Sequence, residues 1–324
     1  MADVPAYRLL LMPPGGGEGR EVAALVQWIT WSGDIRQTAR ELSAALMVPR
    51  DGSVEPPALE EGAALAFQAQ GRTVFTGQLL QCSVSSQSPL VTLSALDGGR
   101  FLAGNRGWYQ FDFVPPEQAA DLICADFGIP VAALAPTGVK VSRSFPGSSS
   151  LDKIISKLYS MAGEQNGKRY CLRFTGEGAL EVVEKGETAA LEIVRTMGVT
   201  NAWDITDLCT SVAIRREDGT VVGRMEDSAS RRRNGLLEHV IIQRSGEDAQ
   251  AQAAAWLEDN RLQQDLTVEV LDPPLELISG TAVALRDTGT GAEGLFWVDT
   301  DVHTWKNRQH LGKFRLNVRN VTGG

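Results

Sequence analysis

Period-two alternation of apolar and polar side chains is the feature of this sequence that most restricts its fold. It is clearest near the C-terminus, where Phe314, Leu316 and Val318 alternate with Arg315, Asn317 and Arg319. The same pattern runs through Val91, Leu93 and Ala95 against Thr92 and Ser94. Successive side chains of a strand point to opposite faces, so these stretches fit half-buried strands and not the apolar stripe of a helix. Within residues 1–104, further apolar segments span Tyr7–Met12, Val22–Trp31, Gln37–Met47, Ala63–Ala69, Thr73–Val84 and Leu90–Leu96. They are separated by Pro13-Pro14-Gly15-Gly16-Gly17-Glu18-Gly19, Pro49-Arg50-Asp51-Gly52, Pro56-Pro57 and Gln87-Ser88-Pro89, which carry the residue types that turns require. Regularly spaced short strands of this kind predict a sandwich or small barrel.

From about 105 to 188 the period changes. Pro115-Pro116-Glu117 opens a helix with proline in the first turn, where its missing N–H costs little. Ala119, Ala120, Ile123 and Phe127 form its expected apolar face, and Gly128 with Pro130 ends it. A second helix is capped in Ser148-Ser149-Ser150, with Asp152 complementing the positive end of the dipole. Leu151, Ile154, Ile155, Leu158 and Tyr159 give it a core-facing stripe, and Gly163 closes it. Strands follow at Tyr170–Phe174 and Leu180–Val182, around the turn Gly176-Glu177-Gly178. Residues 105–188 therefore read as a small α+β unit.

From about 189 to 324 strands return at Val212–Arg215, Thr220–Met225, Leu236–Gln243, Leu266–Leu271, Thr281–Arg286, Leu295–Thr300 and Phe314–Val318. One helix interrupts them, from about Glu247 to Leu262, with Ser245 as candidate cap and Trp256 and Leu257 as bulky apolar residues. The fold class is mainly β with an α+β middle.

Charge and composition narrow the function. Lys and Arg total 31 against 40 Asp and Glu, a formal net charge of −9, which argues against a general nucleic-acid binder. No apolar run approaches the roughly 20 residues that span a bilayer, so no membrane insertion is expected. Met1-Ala2-Asp3-Val4-Pro5 has no basic region followed by an apolar one, so no signal peptide is expected. The cysteines Cys82, Cys124, Cys171 and Cys209 are widely spaced with no C-x-x-C pair, and read as reduced, buried small hydrophobes.

Few motifs hold residue types used in catalysis or ligand binding. The cluster Gly15-Gly16-Gly17-Glu18-Gly19 lacks the Gly-Lys-Ser/Thr of a phosphate-binding loop and precedes a strand, so it reads as a surface loop. No serine or cysteine sits in a nucleophile elbow, and the histidines are His239, His303 and His310. Asp299, Asp301 and His303 would share one strand face and are the candidate metal ligands, with Asp287 and His310 as conceivable additions. The plainer reading makes them the solvent side of a strand whose other side holds Val298 and Val302. Arg231-Arg232-Arg233, beside Asn234-Gly235, reads as a solvated loop or as a contact for an acidic partner surface. Paired carboxylates such as Glu60-Glu61 and Glu258-Asp259 suit exposed faces. No motif asks for a cofactor.

Read in order, the segments resemble the baseplate hub family of phage tails, in the PBSX-like branch of contractile-tail hubs. The resemblance rests on Ile29-Thr30-Trp31-Ser32-Gly33, Val74-Phe75-Thr76-Gly77 and Val91-Thr92-Leu93-Ser94-Ala95-Leu96-Asp97. It continues through Ile123, Asp126, Phe127 and Gly128, then Thr137-Gly138-Val139, the helix at Leu151–Tyr159 and Gly178-Ala179-Leu180. Later matches are Asp227-Ser228-Ala229-Ser230, Asn234-Gly235-Leu236-Leu237 (Asn234 standing where the family has an aromatic), Gly280-Thr281-Ala282-Val283 and Gly294-Leu295-Phe296-Trp297-Val298-Asp299, followed by His303 and His310. Each piece alone is unspecific; their order over nearly the whole chain is not.

The resemblance implies a structural part and not an enzyme. Such hubs are similar to the T-even phage hub and to the base of type VI secretion spikes. They carry two tube-like β-barrel domains, here 1–104 and 189–324, flanking a small α+β domain, here 105–188. A homotrimer then presents six barrels that adapt the sixfold tail tube to the threefold spike and nucleate tube assembly. The implied partners are the tail tube protein, a central spike or spike-adaptor protein, the tape measure protein and the baseplate wedge. DNA passes through without specific binding, consistent with an acidic wall. The implied location is the tail baseplate of a virion assembled in the host bacterial cytoplasm. Arg231, Arg232, Arg233, Gly15, Gly16 and Gly17 are the partner-interface candidates. Two other functions remain open at this point. A tail-associated peptidoglycan hydrolase or peptidase would use Asp299, Asp301 or His303. A cell-surface carbohydrate-binding module would expose Trp28, Trp31, Trp297 or Trp305 in a groove.

Overall fold

The computed structural model describes residues 7–15, 17–53, 55, 57–243 and 248–318. Residues 1–6, Gly16, Pro56, Ser245, Glu247 and Arg319, on which expectations were placed, lie outside the described residues. Among the described residues, strands make up 49% and helices 18%, which makes the fold mainly β. Residues 200–266 form one compact unit, and residues 1–199 with 267–324 form the other.

The N-terminal segment folds as β1 (Tyr7–Met12), β2 (Arg20–Glu21), β3 (Val26–Asp34), β4 (Glu41–Met47), β5 (Ala64–Ala69), β6 (Arg72–Val84) and β7 (Leu90–Asp97). The middle segment is α1 (Gly99–Gly104), β8 (Arg106–Val114), α2 (Pro116–Asp126), β9 (Val131–Leu134), β10 (Val141–Ser150), α3 (Leu151–Asn166), β11 (Tyr170–Phe174) and β12 (Leu180–Glu184). Next come β13 (Leu191–Ile193), β14 (Gly198–Asp204), β15 (Ser211–Arg215), β16 (Val221–Glu226), α4 (Ser228–Asn234), β17 (Glu238–Ile242) and α5 (Ala249–Asp259). The chain closes with β18 (Gln263–Leu271), β19 (Ala282–Asp287), β20 (Ala292–Lys306) and β21 (Gln309–Asn317).

In the larger unit the order β3-β4-β7-β6-β5-β1 is antiparallel throughout. The C-terminal strands join this same sheet. Thr300–Lys306 of β20 pair with Asp34–Trp28 of β3, while Ala292–Trp297 pair with Asp287–Ala282 of β19. A register shift between Val298 and Thr300 marks the changeover, the local kink of a β-bulge. There Gly280 donates its N–H to Val298 O at 2.8 Å and Ile35 donates to Asp299 O at 2.8 Å. Sheet pairing is an open path and not a closed ring among the described residues, so the barrel detail is not seen in the pairing itself.

The inward side chains of these strands pack into one core. Leu9, Ile29, Leu42, Leu65, Phe67 and Phe75 of the first strands lie against Trp305 of β20 and Leu275. Burying each side chain of this size contributes about 1.5–3 kcal/mol. Cys82 departs from the expected burial and is exposed, while Cys124, Cys171 and Cys209 are buried. The reason is length: β5 ends opposite Gln78, so the distal part of β6 has only β7 beside it.

The middle segment has its own core. Ala119, Ala120 and Ile123 of α2 pack with Leu151, Ile154, Ile155, Leu158 and Tyr159 of α3, as their spacing predicts. Phe127 does not join them; it lies past the end of α2 and is exposed. Gly163 does not close α3, which runs to Asn166 and ends at Gly167 with φ 76°. The Ser150 side chain makes no capping bond, although Ser150 is the N-cap residue. The ribbon β8–β10 and the short α1 carry no strong sequence signal.

In the smaller unit β15 lies between β16 (antiparallel) and β17 (parallel). Val212, Ile214, Met225 and Ile241 pack with Ala249, Ala253 and Leu257 of α5. This helix is capped by Asp248, whose Oδ1 accepts from the N–H groups of Gln250 at 3.1 Å and Ala251 at 3.0 Å. It ends at Asp259, earlier than the expected Leu262, because Gln263 already begins β18. The arginine run is not a loop. It forms the last turn of α4, where positive charge complements the C-terminal end of the helix dipole.

The turn between β11 and β12 meets β6 closely enough to require glycine. A Cβ on Gly176 would strike the carbonyl oxygen of Thr73 and lie 3.0 Å from Val74 Cα, both main-chain atoms that cannot step aside. Gly176→Ala should therefore destabilise the larger unit by about 1–3 kcal/mol, the usual cost of overpacking. Urea denaturation would register it as a lower midpoint with an unchanged slope.

Candidate functional site

The candidate residues on β20 divide at the bulge. Asp299 is half-buried, and its Oδ2 accepts from Asn317 Nδ2 at 2.9 Å. Burial pushes its carboxyl pKa up. Asp301, His303 and Trp305 follow the alternation of the strand and point inward, with Asp301 and His303 fully buried. Asp301 and His303 are therefore brought together, Nε2 to Oδ2 at 4.0 Å, and Asp299 stands apart. The plainer reading of the trio, a solvent-facing side, is corrected by this inward direction.

Arg40, which sequence reasoning passed over, completes the cluster. Its Nη1 donates to Asp301 Oδ1 at 3.1 Å and to Ser279 Oγ at 3.3 Å, and its Nη2 donates to Asp301 Oδ2. Asp301 Oδ1 also accepts from the Ser279 N–H at 2.7 Å. The guanidinium lies 4.2 Å from the centre of the Trp31 ring, a cation–π placement. Gly33 makes room for it, since a Cβ there would collide with the Arg40 guanidinium.

The histidines form a second link. His303 Nε2 lies 2.9 Å from Leu277 O, and a carbonyl only accepts, so Nε2 carries the proton. His303 Nδ1 is then the acceptor for His310 Nε2–H at 3.0 Å. His310 in turn stacks on Trp305 at 4.2 Å and 6°. Burial holds His303 below its ordinary range and pushes His310 down to about 3, so both rings are neutral near pH 7. Both oxygens of Asp301 and both nitrogens of His303 are thus engaged within the protein. A cation could take them only by displacing Arg40 and His310. Asp287 lies elsewhere, accepting from the Thr290 N–H at 2.8 Å in a turn. Buried from water, the cluster ties Arg40, the residue that leads into β4, to β20, β21 and the 277–279 segment.

The other candidates lie on surfaces. Gly15 and Gly17 sit in an exposed turn with φ 79° and 136°, and Gly16 is outside the described residues. Arg231 pairs with Glu226, while Arg232 and Arg233 are exposed. The groove required of a carbohydrate module is not formed by the expected tryptophans: Trp31, Trp297 and Trp305 are buried and Trp28 is half-buried. The exposed ones are Trp108, Trp203 and Trp256. Of the aromatic run Trp108, Tyr109, Phe111 and Phe113, only Trp108 and Phe113 are exposed.

Comparison with known proteins bears on the whole chain. The family described as YQBQ-like matches residues 29–317. The chain belongs to the YQBQ-like family. The phage-like element PBSX protein XkdQ of Bacillus subtilis (strain 168) is 26% identical over 294 residues, covering 87% of this chain and 89% of the relative. The uncharacterized protein YqbQ of the same organism is 24% identical over the same shares. Among solved structures, the prophage MuSo2 43 kDa tail protein from Shewanella oneidensis superposes with a TM-score of 0.70 at 15% identity, covering 96% of this chain and 97% of that one. The tail protein from Neisseria meningitidis MC58 gives 0.68 at 14% identity, with 98% of each chain covered. The E. coli c3393 protein, a type VI secretion component described as similar to T4 tail proteins gp27 and gp5, gives 0.50 at 11% identity, with 90% and 73% covered. The YQBQ-like chain therefore has the fold of phage tail proteins.

In this YQBQ-like fold the buried cluster sets two expectations. Arg40→Ala strands the Asp301 carboxylate without its cation and should cost about 3–5 kcal/mol in urea denaturation. An Arg40→Met/Asp301→Leu double variant, which removes both charges, should be more stable than Arg40→Ala alone. The second expectation concerns pH. His310 has a folded pKa far below the ordinary 6.5, so its contribution is complete above pH 6.5 and is lost as the pH falls towards 3. The Asp97 carboxyl, pushed up to about 6 by burial, works in the opposite direction, so the comparison must be between proteins and not between pH values. Between pH 6 and 4, wild type should lose stability relative to His310→Phe by on the order of 1 kcal/mol per pH unit. Parallel stability–pH curves for the two proteins would contradict this.

Proposed function

We propose that this YQBQ-like chain is a structural baseplate hub protein of a phage or phage-like contractile tail. It acts as a homotrimer that adapts the sixfold tail tube to the threefold spike and nucleates tube assembly. The observation that carries the reading is the joining of the first and last strands in one sheet through β3 and β20, within a fold shared with tail proteins along nearly the whole chain. A part that must hold shape between larger bodies is served by such a sheet and by a polar cluster spent on holding strands together. The phage-element relative XkdQ supports the same setting.

In this reading, residues 1–104 and 189–324 are two tube-like barrel domains flanking an α+β domain at 105–188. The partners are the tail tube protein, a central spike or spike-adaptor protein, the tape measure protein and the baseplate wedge. Arg231, Arg232, Arg233, Gly15, Gly16 and Gly17 serve partner contacts. DNA passes without specific binding because the wall it meets is acidic, in keeping with the net charge of −9. The protein resides in the tail baseplate of a virion assembled in the bacterial cytoplasm, and the work is mechanical and not catalytic.

Molar mass measured by light scattering tests this directly. The expected result is a species of roughly three times the 34.9 kDa of one chain, and a threefold ring at one end of the tube in images of assembled particles. A chain that stays at 34.9 kDa at every concentration would overturn the reading.

A further inference from the structure

The two-stranded ribbon β8–β10 holds two large aromatic side chains out of the core that its other residues help to build. Phe111 and Phe145 are buried, and Tyr109 stacks on Phe111 at 5.6 Å. Trp108, paired across the ribbon with Pro146, is 64% exposed. Phe113 is 68% exposed, although strict alternation would send it inward with Tyr109 and Phe111. The backbone is the cause. Phe113 adopts φ 56°, a left-handed conformation that is a true outlier for a bulky side chain.

That conformation is fixed by its surroundings. The ribbon changes register between Val141 and Arg143, and the Phe113 N–H donates to Ser142 Oγ at 2.8 Å. Ser142 Oγ donates in turn to Asp112 Oδ1 at 3.0 Å. Lys140 Nζ stands 4.9 Å from the centre of the Phe113 ring. Strain of this kind persists only where neighbouring structure enforces it, and it gathers at places that bind or switch. Here it displays a large apolar ring at the surface, with the Lys140 ammonium beside it.

Charge says what covers the ribbon. Exposed Arg106, Lys140 and Arg143 frame the aromatics, against exposed Asp112 and Asp126, the latter accepting from the Tyr109 hydroxyl at 2.9 Å. The chain as a whole has 40 acidic side chains against 31 basic ones. Exposed aromatics with arginine are the usual anchors of protein interfaces. A basic, aromatic face on an acidic chain complements another region of the same chain and repels its own like. It therefore favours head-to-tail contacts that close a ring over a twofold contact of like with like.

We propose that the β8–β10 ribbon, through Trp108 and Phe113, is a subunit-contact face that docks on an acidic surface of a second copy of this chain. This rests on the homotrimer reading above and names where one copy grips the next.

Light scattering across a concentration series on wild type, Trp108→Ser and Phe113→Gly tests it, with thermal melting of each protein. The expected result is a wild-type trimer and at least a tenfold weaker association in both variants. Glycine accepts φ 56° freely, so Phe113→Gly should melt no lower than wild type under conditions where both are monomeric. Acrylamide should quench Trp108 less in assembled wild type than in dissociated protein. A wild-type trimer with unchanged association in the variants overturns this contact and leaves the trimer reading standing; the ribbon would then face a different protein. A Phe113→Gly variant that melts lower overturns it too, because Phe113 would then be packing within its own protomer. A wild type that is monomeric at all concentrations overturns both readings.

Discussion

A single ion pair, buried and spanning 261 residues of sequence, fixes how the two ends of this chain meet. Arg40 and Asp301 lie in the core that β3, β4 and β20 share, where an unpaired charge would be costly. Their pairing is satisfied only when β20 lies against β3 in the observed register, since a shift of one residue would turn Asp301 and His303 to the other face. The ion pair is thus tied to one register, and losing it would leave a buried charge unpaired. The His303–His310 bond extends that tie to β21, and the contact with Leu277 O extends it to the 277–279 segment.

This cluster also explains what the sequence could and could not tell. Strands with clean alternation were legible: β7 runs over Leu90–Asp97 against an expected Leu90–Leu96, and the stripe of α3 packs as its spacing requires. β20 was legible only in part. Its expected span was Leu295–Thr300, because Asp301 and His303 occupy inward positions and interrupt the apolar pattern of a strand that continues to Lys306. β21 begins at Gln309 and not at Phe314 for a related reason, its inward positions there being His310 and Gly312. Arg40 gave no local signal, since the partner that justifies its burial is at the far end of the chain.

The candidate site shows the same division. Asp301 and His303 were correctly placed on one face, yet the chemistry their residue types imply is consumed by partners that only the fold supplies. The tryptophans behave likewise. Those near strand centres, Trp31 and Trp305, are core residues, while Trp108 lies on a ribbon whose partner strand, β10, the sequence pattern did not reveal. Asn234-Gly235 favours a turn, so the sequence alone points to a loop at the arginine run. Asp227, accepting from the Ala229 and Ser230 N–H groups at 3.0 and 2.9 Å, starts a helix there instead.

The long strand β20 has a mechanical corollary. Its first half is laddered to β19, its second half to β3, and β21 runs alongside the changeover. Tension between those two ladders passes along covalent main chain, and each ladder meets it as sliding and not as peeling. Hydrogen bonds set across the direction of pull must then yield together and cannot open one after another. A strand arranged in this way acts as a tendon, with the kink at Val298–Thr300 as the point where the pull changes hands.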